Sequence, residues 1–393
     1  MLTPKRIHAL PLQLANQIAA GEVIERPASV IKELVENSLD AATTEIDVTI
    51  EGSGSQLIQV RDNGSGIHPD DLCLALSRHA TSKISSSDQL SQISSLGFRG
   101  EALPSISSVS NLSLISRQHD SECGWQIHFE TDMPEPVPHP KGTTVAVRDL
   151  FFNLPARRRF LRSARTEQQQ ILTTLQRLAL SRFDVRFQCN LNGQQKLNLP
   201  IAQTDAQQLA RIGKICGQTF VKQALVIDQQ FDVINIKGWL GHTEAHRPQA
   251  DQQYFFINGR VIRDRLISQV IRQAYADLIP AGRHPAYVLY MTIPLDRVDI
   301  NVHPTKHEVR FRETRLIHGL IHRAISDELH GQIRPVHSVP SSASSAPRIA
   351  ESTASYQEHQ FSNARHESSL QIAFPVNRSN STDGFQLIQV LHQ

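Results

Sequence analysis

Glu33 and Asn37 lie four residues apart in the run Glu33-Leu34-Val35-Glu36-Asn37-Ser38-Leu39-Asp40, so on a helix their side chains project together, one turn apart. A carboxylate beside a carboxamide can activate a water and hold a hard cation through oxygen, respectively. The same spacing also suits an amphipathic helix with a solvated polar face. A second acidic group, Asp62, opens the run Asp62-Asn63-Gly64-Ser65-Gly66-Ile67. Gly64 and Gly66 let a ligand approach the backbone closely, and a carboxylate held at a strand end is an acceptor suited to a purine amino group. Further on, Thr81, Ser82 and Lys83 offer two hydroxyls and an ammonium. The run Leu96-Gly97-Phe98-Arg99-Gly100-Glu101 brings glycine amides to the start of a helix-like segment, a cradle for an anion. Thr143 and Thr144 follow Gly142 at the start of a β run. Neither a Walker-A nor a Rossmann glycine pattern is present, which disfavours those phosphate-binding classes.

The elements that must position these groups can be read from periodicity. Pro27 suits the first turn of a helix, where its missing N–H costs nothing. Ile31, Leu34, Val35, Leu39 and Ala42 recur behind it at helical spacing as a core stripe, opposite Glu33, Glu36, Asn37 and Asp40. Ile46, Val48 and Ile50 alternate as a half-buried strand, Gly52-Ser53-Gly54 turns the chain, and Leu57 to Asp62 returns as a second strand. On that strand Ile58 and Val60 share a face with Asp62, so the carboxylate continues an apolar face. An inward acid is costly unless something hydrogen-bonds to it, which marks Asp62 as part of a site. The Ser/Asp/Gln-rich stretch between Lys83 and Leu96 reads as a mobile lid.

The chain of 393 residues has room for two ordinary domains and a tail. A net charge of +2 names no partner, so a nucleic-acid binder of this composition has to gather its basic residues on one face. Cys73, Cys123, Cys189 and Cys216 are far apart in the chain, which suggests reduced thiols in a cytosolic compartment rather than a disulfide framework or zinc site. The start of the chain lacks a signal-peptide core, and no apolar run is long enough to span a membrane. Residues 1–203 are expected to form one domain and 204–333 a second, smaller α/β domain; 334–383 read as a disordered linker, and 384–393 as the start of a truncated C-terminal dimerisation domain.

Taken in order, the Glu33–Asp40 helix, the Asp62–Gly66 turn, the Thr81–Lys83 and Gly97–Gly100 segments and the Gly142–Thr143 strand start resemble the GHKL ATPase superfamily. Within it, the resemblance is closest to the MutL-type mismatch-repair family. The runs Gln17 to Val23, Glu25 to Ser29, Glu33 to Ala41, Arg78 to Ile84, Gly97 to Leu103, Leu150 to Arg158 and Asn301 to Phe311 carry it. It spans about residues 7 to 332, with Pro104 and Leu154 as small departures. The resemblance implies an α/β (α+β) fold: a sandwich of a mixed, mostly antiparallel sheet with helices on one face. It implies ATP and Mg²⁺ as cofactors, with Glu33 as general base, Asn37 as the Mg²⁺ ligand and Asp62 on the adenine amino group. It places Gly64, Gly66, Thr81, Ser82, Lys83 and Thr143 around the nucleotide, with Gly97, Phe98, Arg99 and Gly100 on the phosphates. Lys306, in a loop beyond Pro304, is assigned to the γ-phosphate from the second domain. The same Pro304 breaks the helix that a metal site at His303, His307 and Glu308 requires.

Two basic clusters occur: Arg157, Arg158, Arg159, Arg162 and Arg165, and then Arg260, Arg263, Arg265 and Arg272. Contacts from either to phosphates give sequence-independent, salt-dependent binding, and the resemblance favours the second cluster as DNA-contacting. It further implies a slow Mg-dependent ATPase, a homodimer in the bacterial cytosol and nucleoid. Implied partners are DNA, a mismatch-recognition protein of the MutS type, a strand-nicking endonuclease and a helicase. The alternative is a topoisomerase-type ATPase subunit, and the Gly97 to Leu103 and Leu150 to Arg158 runs speak against it. A histidine kinase needs a phosphoacceptor helix ahead of Glu33, where the chain has little room.

Overall fold

The structure, a computed structural model, describes residues 11, 21, 24–84, 95–97, 100–128, 133–299 and 309–331, all within the compact unit Met1–Val336. Most of the expected lid, Phe98, Arg99, Lys306 and the expected linker with the strand beyond it lie outside the described residues.

Helix α1 (Pro27–Asp40) begins with Pro27 in its first turn and buries Ile31, Leu34, Val35 and Leu39. Ala42 does not continue that stripe: it is exposed, with φ of 56°, because the helix has already ended and its periodicity no longer applies. Strands β1 (Glu45–Glu51) and β2 (Leu57–Asp62) pair antiparallel across the Gly52–Gly54 turn, with Val48 opposite Val60. Ile46, Val48 and Ile50 are buried on β1, as are Ile58, Val60 and Asp62 on β2, so the inward face of period two does carry the acid. Then follow α2 (Leu72–Ala75), α3 (Ala102–Ser107), β3 (Asn111–Arg117), β4 (Gly124–His128), β5 (Glu135–Val137), β6 (Gly142–Arg148), α4 (Pro155–Arg159), α5 (Ala164–Ser181), β7 (Arg186–Leu191) and β8 (Gln194–Leu199).

The eight strands form one sheet in the order β5-β4-β3-β6-β2-β1-β7-β8. β1 and β7 run parallel and the other neighbours antiparallel, which is the mixed, mostly antiparallel sheet expected. α1 packs on β2, α3 and α5, and their apolar side chains form one core with the inward faces of the strands. The antiparallel β2–β6 register sets Asp62 opposite Thr143. The strand end that carries the acid therefore meets the strand start that carries the hydroxyl.

The second sheet is built from α6 (Asp205–Cys216), α7 (Gln218–Lys222), β9 (Ala224–Phe231), β10 (Ile234–Gly241), β11 (Gln253–Ile257), β12 (Arg260–Ile262), α8 (Arg265–Ala274) and β13 (Tyr287–Thr292). The short pair β14 (Val298–Asp299) and β15 (Arg310–Phe311) precedes α9 (Thr314–Gly331). Its strand order is β12-β11-β13-β10-β9, with β11 and β13 parallel. Asn258 and Gly259, both at positive φ, make the tight turn from β11 to β12. Phe255 and Ile257 join Ile267 and Ile271 of α8 and Ile321 and Ile325 of α9 in one core. Tyr254 and Phe256, on the opposite face, join Leu180 of α5, Ile212 of α6 and Phe220 of α7. Both faces of β11 are thus covered, which is why its sequence lacks polar alternation.

The seam between the sheets is apolar and well bonded. Phe256 stacks on Tyr290 at 4.9 Å between ring centroids, and the Tyr290 hydroxyl donates to the Leu180 carbonyl at 2.8 Å. Arg211, 2% exposed, donates to the carbonyls of Ala179, Arg182, Val185 and Pro200. Packing of this kind holds the two sheets in a defined relation, unlike the polar, loosely joined interfaces that leave domains free to swing.

Candidate functional site

The site begins with the cost of Asp62. Its carboxylate is 7% exposed and accepts three hydrogen bonds: Gly64 N–H to Oδ1 at 2.9 Å, Thr143 N–H to Oδ1 at 3.3 Å and the Ser38 hydroxyl to Oδ2 at 2.8 Å. Burial pushes the carboxyl above the ordinary carboxylate range, and the Gly64, Ser38 and Thr143 donors pull it partly back. Gly64 is needed here because a Cβ would stand 2.7 Å from the Ala41 carbonyl oxygen and 3.1 Å from Asp62 Oδ1. Thr143, also buried, shares its hydroxyl with Ser116 at 2.9 Å, and Ser116 also accepts from the Ile67 amide at 2.8 Å. One strand end, one helix and the turn at Gly64–Gly66 thus hold a single acceptor carboxylate in place.

The polar face of α1 is not a solvated one. Glu36 is 8% exposed, and Glu33, Asn37 and Asp40 are half-buried. Lys32 Nζ lies 3.3 Å from Glu33 Oε1 and 3.3 Å from Glu36 Oε1. Burial pulls the Lys32 pKa down, but the two glutamates outweigh it and leave it raised, so the amine stays charged.

One turn on, Lys83 Nζ donates to Asn37 Oδ1 at 2.9 Å and to Asp40 Oδ2 at 2.6 Å. Asp40 in turn accepts the Leu96 amide at 2.8 Å through Oδ1 and the Gly97 amide at 3.0 Å through Oδ2. A Cβ on Gly97 would lie 3.3 Å from Lys83 Nζ and 3.6 Å from Asn37 Oδ1, so this backbone passes directly over the helix. The Lys83 amide donates to Thr81 Oγ1 at 3.2 Å, whereas Ser82 faces outward. Gly100 sits at φ of 64°, and a Cβ there would stand 2.2 Å from the Ala80 carbonyl oxygen, so only glycine lets the start of α3 pass this close to the segment before Thr81.

The structure therefore gathers Asn37, Asp62, Gly64, Lys83, Gly97 and Thr143 around the end of α1, with Thr81, Gly66 and Gly100 shaping the flanking turns. Glu33 lies on the same face, one turn earlier. Phe98, Arg99 and Lys306 lie outside the described residues. Two residues that sequence reasoning gave no role turn out to matter. Asp40 anchors both Lys83 and two loop amides; the signal was its place at i+7 from Glu33, on the same helical stripe as Asn37. Ser38 holds Asp62, and its signal was a hydroxyl on the core-facing side of the helix.

The donors fit the chemistry of a nucleotide with a divalent cation. Asn37 offers a hard amide oxygen where a cationic ammonium already sits, and the Leu96 and Gly97 amides already hold an anionic carboxylate. Mg²⁺ is commonly bound by one or two protein oxygens together with phosphates and water, so a single carboxamide is a sufficient protein ligand.

The four arginines expected together separate. Arg263, Arg265 and Arg272 are exposed, beside or on α8. Arg260 does not join them: it is 8% exposed, because β12 lies at the edge of the sheet that faces α5, and its guanidinium donates to the Ser95 carbonyl. Among the described residues no helix is long and apolar enough to cross a membrane.

Comparison with known proteins finds two family models along the chain. Residues 24–136 match the model of the histidine kinase-, DNA gyrase B- and HSP90-like ATPases, and residues 212–330 match that of the DNA mismatch repair protein, C-terminal domain. The DNA mismatch repair protein MutL of Cellvibrio japonicus is 51% identical over 339 residues, covering 85% of this chain and 54% of the relative. That of Pseudomonas syringae pv. tomato is 50% identical over 359 residues, covering 88% of this chain and 55% of the relative. The chain thus spans about half the length of these curated relatives. Among solved structures, the Aquifex aeolicus MutL ATPase domain complexed with ADP is 31% identical, with a TM-score of 0.51 over 69% of this chain and 93% of that one. With an ATPase model on its first sheet, a mismatch-repair model on its second and about half of the aligned residues shared with bacterial relatives, the chain belongs to the MutL family of DNA mismatch repair proteins.

Proposed function

We propose that this chain binds Mg-ATP at the end of α1 and hydrolyses it slowly, using the nucleotide as a conformational switch in DNA mismatch repair. The observation that carries the reading is the buried Asp62 carboxylate, held by three donors at 2.8–3.3 Å beside a helix face whose Asn37 and Asp40 already bind a cation and two loop amides. Asp62 accepts from the adenine amino group, and Gly64, Gly66 and Thr143 shape the walls around the base. Asn37 holds Mg²⁺, which neutralises phosphate charge when bound. The Gly97–Gly100 segment and Thr81, Ser82 and Lys83 serve the phosphates, and Lys306 the terminal one. Glu33 accepts the proton of the attacking water, and Lys32, shared with Glu36, orients it.

In this reading residues 1–203 are the ATPase domain and 204–333 a second domain that contacts DNA without regard to sequence through Arg263, Arg265 and Arg272. Two heads dimerise on ATP, and the dimer passes a signal from a MutS-type sensor to a nicking endonuclease and a helicase in the cytosol. A titration with a non-hydrolysable ATP analogue against ADP, each with magnesium and followed by sizing, tests the switch. Analogue-specific dimerisation is expected. An unchanged mass with both nucleotides, under conditions where calorimetry records binding, rules the switch out.

A further inference from the structure

Arg260 is the one member of the second arginine cluster that turns inward. It lies on β12, next to Val261, whose side chain packs against both the first-sheet core and the seam between the sheets. Its guanidinium is buried and donates to the carbonyl of Ser95. Ser95 immediately precedes Leu96 and Gly97, whose amides point at Asp40, and its own hydroxyl donates to the Gly97 carbonyl at 2.8 Å. Burial lowers the Arg260 pKa, while the Glu36 and Asp40 carboxylates of α1 act against that, so the charge faces the same helix that carries Asn37. A buried guanidinium is expensive to maintain, and this one spends its hydrogen bond on the backbone at the entry to the phosphate segment.

We infer that Arg260 is a positioning residue: from the second sheet it fixes where the Leu96–Gly97 backbone starts, and so sets the nucleotide affinity of a site formed by the first sheet. It touches neither base nor phosphate. It acts through Ser95, and it makes the placement of β12 felt at the amides that receive the phosphates. Because β12 leads within three residues to α8, where Arg265 and Arg272 are exposed, a movement of that helix on binding a polyanion has a short route along the backbone to Arg260 and through its hydrogen bond to Ser95.

The inference rests on the proposed nucleotide site and is tested on the 393-residue chain with Arg260→Gln and Arg260→Lys. Mg-ATP binding is measured by calorimetry, turnover by phosphate release, and retention on duplex DNA at two salt concentrations; urea melting identifies variants that remain folded. Losing a hydrogen bond to a charged group should weaken Mg-ATP binding and raise KM roughly tenfold in Arg260→Gln, with kcat within about threefold of the parent because Glu33 has not moved. Arg260→Lys keeps the charge and one donor, so it should recover most of the affinity. DNA retention should equal that of the parent in both. Unchanged KM in a folded Arg260→Gln overturns the inference, as does a loss of DNA retention at unchanged KM, which would make Arg260 a phosphate contact of DNA. If Arg260→Gln does not fold, Arg260→Lys with parental KM and reduced DNA retention overturns it equally. A parent that binds no Mg-ATP refutes the proposed site itself and is distinct from all of these.

Discussion

Asp62→Asn separates the charge of the inward acid from its shape. The carboxamide retains an Oδ1 acceptor for the Gly64 and Thr143 amides, 2.9 and 3.3 Å away. At the other atom, Ser38 Oγ lies 2.8 Å from Oδ2 and 3.2 Å from the Leu34 carbonyl, and one hydroxyl hydrogen cannot serve both fully. In the variant that hydrogen settles on Leu34, and the oxygen accepts from the new amide, so the local bonding survives. What disappears is the negative acceptor for an adenine amino group. A hydrogen bond to a charged partner contributes about 1.5–3 kcal/mol, so Mg-ATP should bind roughly 10- to 150-fold more weakly.

Stability should move the other way. Burial raises the Asp62 pKa, so between the ordinary carboxylate value and the raised one the native state holds a proton that the unfolded chain has lost. The parent's stability from this group is therefore full below that window and is lost as pH rises through it. Asp62→Asn has no such loss and should be at least as stable as the parent at neutral pH, as measured by urea unfolding. Parental affinity for Mg-ATP should climb as pH rises through the raised pKa, whereas the variant's should show no such climb. Calorimetric affinity within about twofold of the parent, in a folded variant, would refute the assignment of Asp62 to the base.

Glu33→Ala should retain Mg-ATP binding while phosphate release drops to background; turnover at the parental rate would remove Glu33 from the base role. Arg265→Glu should weaken DNA binding and reduce its salt slope by about one, read from filter retention across a salt series; identical curves would exonerate it. Arg211→Met should cost about 3 kcal/mol or more in urea unfolding, because it strands the carbonyls of Ala179, Arg182, Val185 and Pro200 at the seam. A loss below about 1 kcal/mol would mean that water takes over those acceptors.

Local pattern made much of the site legible. Period two placed Asp62 on the buried side of β2, and helical spacing put Glu33 and Asn37 together on α1, and both placements hold in the structure. What local pattern does not carry is what covers an element. The acidic stripe of α1 has the composition of a solvated face, yet Glu36 is buried, and Asn37 and Asp40 are bonded to Lys83 and to the Leu96–Gly97 backbone from dozens of residues away. Arg260 has the same limitation in reverse: counted with its neighbours it joins a basic surface, but the Asn258–Gly259 turn folds β12 back along β11 and aims the guanidinium at Ser95. Spacing alone carries Ala42 into the core stripe, because periodicity gives no helix end; the helix ends at Ala41, and Ala42 takes positive φ outside it.

The ion pair between Lys83 and Asp40 has a consequence for any polyanion that arrives. The amides of Leu96 and Gly97 and the oxygen of Asn37 are already satisfied from within, so under the proposed function an incoming phosphate would trade places with a carboxylate and its cation with an ammonium. Occupancy would then be an exchange of like for like. Its net gain would be the difference between two sets of charged contacts, which would favour modest affinity and ready departure of whatever remains once the terminal phosphate is gone.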